Sequence, residues 1–441
     1  MTNATNARTA ALEPYLADVP AAQRQTLWVL SSGLVLSGLG MGAAWSIGSL
    51  LIVSVTQSTF NAGLSSAMST LGAAVFAIPL ATLASRFGRR RALTTGALIA
   101  ATGAFFVVFS AIIGNFPLLL ISMLTLGAGN ATSLQSRFSA GDLAAPKTRG
   151  RDISLVVWSM TIGTVIGPNL VGPGDVVGMA FGLPSLAGAF AFTLIAQVCA
   201  ATMYFIFLRP DPLLLAKLNA ERTGHTHDQL TTEEADDIPA VALPKESAWR
   251  IIRSRPVALI AVLSMAFANA TMVVIMSMTP VHLAGMHVVV SLIGLTVSLH
   301  IAGMYALAPL FGWLSDRIGS IGVILIGQAM FIASLVLNWS MPEDMVSIVI
   351  SLILLGTGWS AATVAGATML TGVLDPAERP KVQGVSDTVM SFGGAMAGIA
   401  AGPLLTLVGF QNLNVAAGVM VLATLLMLSI VAWRKKNAAS A

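Results

Sequence analysis

The sequence predicts an all-α integral membrane protein with twelve transmembrane helices arranged as two six-helix halves. The composition supports this fold, because 56% of the 441 residues are hydrophobic and only 10% are charged. A soluble domain carries about 25% charged residues and could not bury so much apolar surface. The apolar segments are unbroken runs rather than alternating patterns, which favours spanning helices of about 20 residues. Short motifs also recur between the two halves of the chain.

Twelve apolar segments are long enough to cross a bilayer. Their approximate cores are residues 27–49, 62–84, 92–113, 117–138, 153–173, 184–208, 256–279, 288–314, 320–339, 346–371, 384–408 and 412–433. One long polar segment separates the sixth core from the seventh, and its mixture of acidic, basic and proline residues is typical of a partly disordered linker. We therefore predict a cytoplasmic N-terminal segment 1–26, a first bundle 27–208, a cytoplasmic linker 209–255, a second bundle 256–433 and a cytoplasmic tail 434–441.

Positive charges occur on only one side of the predicted membrane. All 23 Lys and Arg residues fall in the two terminal segments, the linker or every second loop, and the intervening loops carry only Asp175, Glu343 and Asp344. This positive-inside pattern predicts a multi-pass protein of the cell (cytoplasmic) membrane with both termini in the cytoplasm. The basic residues lie between spans, with few aromatic residues beside them, so we expect no nucleic-acid partner.

The two halves contain matching motifs. The segment Leu83–Gly88, which follows span two, has a counterpart in Leu314–Gly319 after span eight, 231 positions later. The same offset aligns Ser69 with His300. A G-x-x-x-G-P motif occurs in spans five and eleven, and its residues are Gly163, Gly167, Pro168, Gly398, Gly402 and Pro403. Small residues permit close helix packing, and repeated six-span halves are typical of carriers with a substrate site near the midplane.

Together these features resemble the major facilitator superfamily of transporters. The family's loop motif is G-x-x-x-D-R-x-G-R-R. Its second copy here retains the Gly, Asp and Arg, whereas the first copy has Ala81 and Ser85 where the motif has Gly and Asp. The resemblance implies two pseudo-symmetric six-helix bundles and a cytoplasmic gate. The gate residues predicted on this basis are Arg86, Gly88, Arg89, Arg90, Gly312, Asp316, Arg317 and Asp387.

Asp387 offers a substitute for the aspartate that the first loop motif lacks. It lies about one turn inside span eleven, which packs beside this loop in the family fold. We predict that Arg86 or Arg89 pairs with Asp387 across the two halves as a two-state latch. The alternative is that Asp387 only stabilises a helix N-terminus. Arg137, near the cytoplasmic end of span four, is expected to pair with Asp142.

His300 is the ionisable side chain that the sequence places deepest in the membrane. It lies about twelve residues inside span eight, near the bilayer midplane at a rise of about 1.5 Å per residue. Ionisable groups at this depth often mark proton paths, so we predict that His300 couples proton movement to transport. The alternative is a neutral histidine hydrogen-bonded to a neighbouring helix. Asp142 and Asp387 are the other predicted proton-coupling residues.

Near the midplane the spans contain neither a basic cluster nor an acidic one. Phosphorylated substrates, dicarboxylates and tightly bound dications are therefore not expected. Methionines are flexible and polarisable, which suits a cavity that accepts several shapes, and aromatic and amide side chains accompany them. The predicted substrate-binding residues are Asn130, Trp158, Met160, Asn269, Met272, Met276, Met304, Tyr305 and Trp359.

The predicted function is proton-coupled secondary transport by alternating access, exporting small hydrophobic or amphipathic compounds. The G-x-x-x-G-P motif resembles that of drug–proton exporters, which favours efflux. A proton symporter or facilitative importer of a neutral metabolite, and a membrane sensor without transport, remain alternatives. With no metal-ligand cluster, nucleophile motif or nucleotide loop, and with Cys199 as the one cysteine, we predict no enzyme activity, metal or cofactor. The expected partners are a small-molecule substrate, protons and the lipid bilayer, with the chain as a monomer.

Overall fold

The computed structural model describes residues 12–144, 149–223, 247–374 and 379–439, and these residues form helices without any strand. Eleven helical runs among them are long and apolar enough to cross a membrane. The last run, Gly384–Ile430, contains Gly409 with φ of 76° and ψ of 170°, a non-helical conformation that divides it into two spans. The described residues therefore provide the twelve predicted spans.

The first half contains six spans. Gly127 interrupts α4, and a 3-10 turn at Gly167–Leu170 interrupts α5. The bounds are Val19–Thr56 for α1, Leu64–Phe87 for α2, Arg89–Ile113 for α3, Phe116–Gly141 for α4, Arg149–Ile166 and Val171–Ala180 for α5, and Ala187–Phe207 for α6.

The second half also contains six spans. Leu307 interrupts α8, and Gly409 divides the continuous run Arg379–Ala439 into α11 (379–408) and α12 (410–439). The remaining bounds are Pro256–Gly285 for α7, Val290–Ala306 and Ala308–Ile318 for α8, Ser320–Ser340 for α9 and Met345–Thr371 for α10.

The ends of the predicted segments differ from the structure. Helix α1 begins at Val19 rather than residue 27, because the Asp18 side chain caps it by accepting a hydrogen bond from the backbone N–H of Ala21 at 2.9 Å. At the other end, α12 continues into the predicted tail as far as Ala439. Charged and polar residues do not break a helix, so both helices extend beyond the apolar segments that hydropathy identifies.

The linker is helical at both of its described ends. The helices Pro212–Thr223 and Ala248–Ser254 lie on either side of residues 224–246. The disorder that we predicted for the linker falls on these residues, which lie outside the described part of the chain. Leu215 and Ala216 pack in a small apolar cluster with Ala22 of α1 and Leu143 beyond α4. The first part of the linker is therefore docked on the first half.

The internal repeat is confirmed by matching backbone geometry. Gly88 and Gly319, the equivalent glycines after α2 and α8, both have positive φ, 94° and 83°, which glycine adopts without steric cost. In the first half, Gly127 of α4 packs on the backbone of Ser69 and Ala73. In the second half, Gly356 of α10 packs on His300 and Met304, which are the residues 231 positions later.

The outer surface of the bundle is apolar. Large hydrophobic side chains remain exposed around it, among them Ile78 on α2, Ile195 on α6 and Val419 on α12. In water such a surface would cause aggregation. In a bilayer the surrounding hydrocarbon matches these apolar side chains, and each helix satisfies its own backbone hydrogen bonds. The chain is a multi-pass membrane protein.

Candidate functional site

The two halves meet closely at one end of the bundle, through α2 and α11. We call the end that carries Gly88 and Gly319 the basic end, and the other the opposite end. At the opposite end Gly398 of α11 lies against Gly63 and Ser66 at the start of α2, and Gly402 lies against the backbone of Phe60. A Cβ at Gly398 would lie 2.9 Å from Ser66 Oγ and 3.1 Å from the carbonyl oxygen of Gly63. Only small residues allow this approach.

Helices α5 and α8 make the second contact between the halves, at the same end. The carbonyl of Pro168 faces Gly294, and the Asn169 side-chain amide donates to Ser298 Oγ at 2.8 Å. In contrast, Gly163 and Gly167 of the same motif pack against α1 inside the first half, beside Val35 and Leu39. Spans α2, α5, α8 and α11 thus close the opposite end.

At the basic end a charge pair joins the halves more loosely. Arg137 of α4 faces Asp387 of α11 with an N–O distance of 3.8 Å, and their side chains are 36% and 61% exposed. This distance is too long for a direct hydrogen bond. The position of Asp387 at a contact between halves agrees with the prediction, but the partner in this conformation is Arg137, and the Arg86 side chain is exposed.

The Arg89 side chain forms its ion pair and hydrogen bonds within the first half. Its Nε donates to Asp142 Oδ2 at 2.8 Å, and its terminal nitrogens donate to Asp142 Oδ1 at 3.2 Å and Gln135 Oε1 at 2.9 Å. Arg89 and Asp142 are 14% and 10% exposed, so this is a nearly buried, two-pronged ion pair. The expected Arg137–Asp142 pair is replaced by this clamp between α3 and α4.

The other residues of the loop motifs are not gathered between the halves. The backbone N–H of Arg90 donates to Asp211 Oδ2 at 2.8 Å, and its guanidinium lies 5.1 Å from the centre of the Phe205 ring. Arg317 stacks on Trp313 at 4.5 Å, Asp316 is exposed and Gly312 lies near Val364 of α10. Their gate role stays a prediction.

His300 is sealed inside the second half in this conformation. Its side chain has 0% exposure, and Nδ1 lies 2.7 Å from the carbonyl oxygen of Leu352 on α10. Because a carbonyl only accepts, Nδ1 carries a proton and donates it. Nε2 is buried without a hydrogen-bond partner. This geometry matches the alternative of a neutral, hydrogen-bonded histidine, and the proton-coupling role stays a prediction that requires another conformation.

Three predicted substrate-binding residues come together in the second half. The Trp359 indole N–H donates to Asn269 Oδ1 at 3.1 Å, and the Asn269 amide nitrogen donates to the Met390 carbonyl at 3.0 Å. The Tyr305 and Trp359 rings meet edge to face, with centroids 6.1 Å apart. Asn269 is 9% exposed, while both rings are half-buried. We call Asn269, Tyr305 and Trp359 the aromatic cluster.

The remaining predicted substrate-binding residues are more dispersed. Met272 and Met304 are buried in the main apolar core, and Met276 packs against that core. Asn130 and Met160 are half-buried and Trp158 is exposed, on α4 and α5 of the first half. They can meet the aromatic cluster only across the interface between the halves.

Several functional contacts involve residues that sequence reasoning missed. Gly394 of α11 leaves the space that the Asn269 amide occupies. The acceptors for Asn269 and His300 are the backbone carbonyls of Met390 and Leu352, which leave no signal in the sequence because any residue has a carbonyl. Gln135 could have been found as the amide one helical turn before Ser139 on the polar face of α4. Among the described residues, no group of three or more His, Cys, Asp or Glu residues could hold a metal ion.

Comparison with known families matches this architecture to one family. The model of the Major Facilitator Superfamily matches residues 30–289 and 270–441. The chain belongs to the Major Facilitator Superfamily. Members of this superfamily are transporters rather than enzymes. The two overlapping matches cover the chain from α1 to its end and include both six-helix halves.

Superfamily relatives match the chain over nearly its whole length. It is 32% identical to the uncharacterized MFS-type transporter YdeG of Bacillus subtilis, covering 98% of this chain and 97% of the relative. It is 33% identical to YddS of the same organism, covering 96% and 94%. The riboflavin transporter RfnT of Brucella anthropi is 26% identical, covering 94% and 93%.

Solved superfamily structures share the fold at low sequence identity. The Escherichia coli xylose transporter XylE, in a partially occluded inward-open conformation, superposes with a TM-score of 0.67 at 13% identity, covering 92% of this chain and 97% of that one. The nucleoside transporter NupG gives 0.63 at 16% identity, covering 91% and 98%.

Proposed function

We propose that this protein exports small hydrophobic or amphipathic compounds in exchange for protons, by alternating access. One observation carries the proposal. The two pseudo-symmetric halves are tightly closed at the opposite end, through Gly398 and Pro168, and only loosely paired at the basic end, through Arg137 and Asp387. A rocking carrier in one of its two states has this asymmetry between its ends.

The basic end is assigned to the cytoplasm. Positive charges of the chain fall in the terminal segments, the linker and the loops at this end. The acidic residues at the opposite end are Asp175 in the second part of α5, and Glu343 and Asp344 before α10. The positive-inside rule makes the basic end cytoplasmic. The conformation described here would then be open towards the cytoplasm, which is the state in which an exporter loads its substrate.

The aromatic cluster supports an aromatic or amphipathic substrate. Both hydrogen-bonding groups of the Asn269 amide are engaged, so Asn269 positions the Trp359 ring rather than offering free polar atoms. The half-buried rings of Trp359 and Tyr305 then provide an oriented apolar surface. Asn130, Met160 and Trp158 face it from the first half in our proposal, and the riboflavin transporter among the relatives fits a ring-shaped substrate.

Asp387 is the proposed carrier of the coupled proton. It is the more exposed member of the pair at the basic end, and its carboxylate faces the Arg137 guanidinium with an N–O distance of 3.8 Å. Protonation would remove the attraction to Arg137 and release the contact between halves. Asp142 is already held by Arg89, and His300 is fully buried in this state, so neither is as well placed.

Everted membrane vesicles provide the test of the proposed function. A screen for ligand-dependent thermal stabilisation of the purified protein first identifies compounds that bind, with riboflavin and amphipathic dyes among the probes. We expect a binding compound to accumulate in vesicles with an acidified lumen, and to dissipate the pH gradient as it enters. Asp387→Asn should bind the compound but lose this proton exchange. Accumulation that is unaffected by collapsing the gradient would contradict the proposal.

Import of a neutral metabolite is a second candidate. The observation that favours it is the relative named as a riboflavin transporter, which aligns over 94% of this chain. Right-side-out vesicles distinguish the two directions. An importer accumulates the compound in them when the outside is acidic, whereas an exporter accumulates it only in everted vesicles.

A further inference from the structure

A cleft opens on the outer surface of the first half, at the basic end and away from the interface between the halves. It has a volume of about 280 Å³ and lies among α2, α3 and α6. Its lining residues are Leu83, Phe87, Arg91, Thr94, Thr95 and Phe205. Phe87, Arg91 and Phe205 are exposed on this surface. The cleft is therefore open to the surrounding membrane, at the level where the spans begin.

Two guanidinium groups flank the cleft, each held by an aromatic ring. Arg91 lies 5.6 Å from the centre of the Phe87 ring, and Arg90 lies 5.1 Å from the centre of the Phe205 ring. Cation–π contacts of this kind fix the direction of an arginine without neutralising it. The cleft thus has positively charged groups on both of its sides, above an apolar floor.

The positive charge of this region is only partly balanced. Arg209 and Arg91 both act on Arg90 as like charges, and Asp211 is the acidic group acting there. The oxygens of Asp211 already accept hydrogen bonds from the backbone N–H groups of Arg90, Leu213 and Leu214. Asp211 therefore caps two helices, and its single carboxylate only partly offsets the charges of Arg90, Arg91 and Arg209.

Two polar atoms at the cleft are buried without a hydrogen-bond partner. They are the Oγ1 of Thr94, which lines the cleft, and the Nε of Arg90, which is the neighbour of the lining residue Arg91. A buried donor without a partner is costly, so such atoms often mark a place where a ligand completes the hydrogen bonds. A phosphodiester oxygen can accept from both a guanidinium N–H and a threonine hydroxyl.

We propose that this cleft binds the headgroup of an anionic phospholipid from the cytoplasmic leaflet. The phosphodiester lies between Arg90 and Arg91 and accepts from Thr94, and the acyl chains run along Leu83 and the exposed ring of Phe205. The apolar walls and the membrane-facing position select a lipid over a soluble phosphate. The cleft lies where α2 enters the first loop motif and where Asp211 joins the linker to α3 through a hydrogen bond. A bound lipid therefore also stabilises the contacts among these elements of the first half.

Native mass spectrometry of the full-length protein with added phosphatidylglycerol tests this site. We expect one tightly bound lipid in the wild-type protein, with Arg91→Gln weakening its binding about fivefold, as the loss of one arginine near anionic lipid predicts. Thr94→Val is the second cleft variant and should weaken binding without a change in charge. The thermal stabilisation by phosphatidylglycerol should fall in parallel.

Three comparisons decide the outcome. Arg24→Gln removes the same charge from an exposed position on α1 at the same end, and it should retain the bound lipid. Equal loss in Arg24→Gln would show that only overall charge attracts lipid, which overturns the proposal, as would unchanged binding in both cleft variants. Glycerophosphoglycerol that displaces the lipid at equal concentration would identify a soluble ligand instead. Phosphatidylcholine bound as tightly as phosphatidylglycerol would also contradict the assignment.

Discussion

Arg137 and Asp387 are the residues whose pairing differs most from the expectation. We predicted Arg86 or Arg89 as the partner of Asp387, and Asp142 as the partner of Arg137. The structure separates these predicted pairs because Arg89 is captured by Asp142 and Gln135, while Arg137 projects from α4 towards α11. Which face an arginine takes depends on helix rotation, and sequence spacing alone does not determine this.

A charge exchange tests the role of this pair. Because both side chains are partly exposed, Arg137→Asp and Asp387→Arg should each change stability by less than about 1 kcal/mol. Each should nevertheless reduce transport, because the basic end can no longer close on an attractive pair. The double exchange should restore transport in vesicles. The matched control is Arg86→Asp with Asp387→Arg, and rescue by that combination instead would support the original Arg86 hypothesis.

His300 gives the second prediction at this scale. Its hydrogen bond to Leu352 joins α8 to α10, and His300→Ala would leave a cavity at that contact. We expect a loss of about 1–3 kcal/mol in the free energy of unfolding, typical of removing a buried hydrogen-bond partner. Thermal unfolding in detergent measures it. We expect His300→Asn to keep the pH dependence of transport. Loss of that pH dependence in a folded His300→Asn protein would support His300 as the proton-coupling residue.

At the scale of helices, hydropathy predicted the spans well and their ends poorly. Runs such as α7 and α10 are recognisable because nothing interrupts their apolar sequence. In contrast, α11 and α12 were expected to be separated by residues 409–411, whereas Gly409 alone bends one run into two spans. The breaks in α4 and α8 were also missed. Gly127 in α4 packs on the backbone of α2, and the second part of α8 has Pro309 in its first turn.

The contact between α2 and α11 gives an element-scale prediction. In Gly398→Leu the new side chain would collide with Ser66 in the first turn of α2 and with the backbone of Gly63, which caps that helix. We expect the variant to favour opening at the opposite end. A cysteine placed at that interface should react faster with a membrane-impermeant maleimide than in the parent protein. Gly384→Leu, at an open position on the same run, is the control and should leave the reactivity unchanged.

The start of α10 carries a pH-sensitive cap outside the membrane. Asp344 accepts a hydrogen bond from the backbone N–H of Ser347 at 2.8 Å, and its hydrogen bonds to Ser347 lower the pKa of this carboxyl. A lowered pKa means that the stabilising contribution is present above the unfolded-state pKa and is lost as pH falls through the folded-state pKa. Asp344→Ala should therefore lower the melting temperature at neutral pH and have little effect at strongly acidic pH. An equal effect at both pH values would contradict the cap.

At the scale of the whole molecule, the repeat was the most informative sequence signal. The 231-residue offset predicted from two loop motifs also relates the residues on which Gly127 and Gly356 pack, because Ser69 and Ala73 correspond to His300 and Met304. The same offset places His300 where the first half has Ser69. The fold could thus be predicted from the sequence. The way the two halves face each other could not, because the alternating access that we propose requires two arrangements of the same sequence.

The distance between helices α5 and α8 can be measured at both ends of the interface between the halves. Val176 and Val289 are exposed near the opposite end, and Leu155 and Ile318 are exposed near the basic end. Spin labels on these pairs, in a Cys199→Ala background, would report the two distances by pulsed electron paramagnetic resonance. Because the rocking halves share one interface, the two distances should change in opposite directions.

The central claim is that the two halves rock about a shared site, and this distance measurement tests it most directly. When a bound compound or a higher pH, which keeps Asp387 charged opposite Arg137, shifts the populations, we expect the Val176–Val289 distance to lengthen while the Leu155–Ile318 distance shortens. Two distances that stay fixed, or that change in the same direction under conditions in which transport proceeds, would contradict alternating access in this protein.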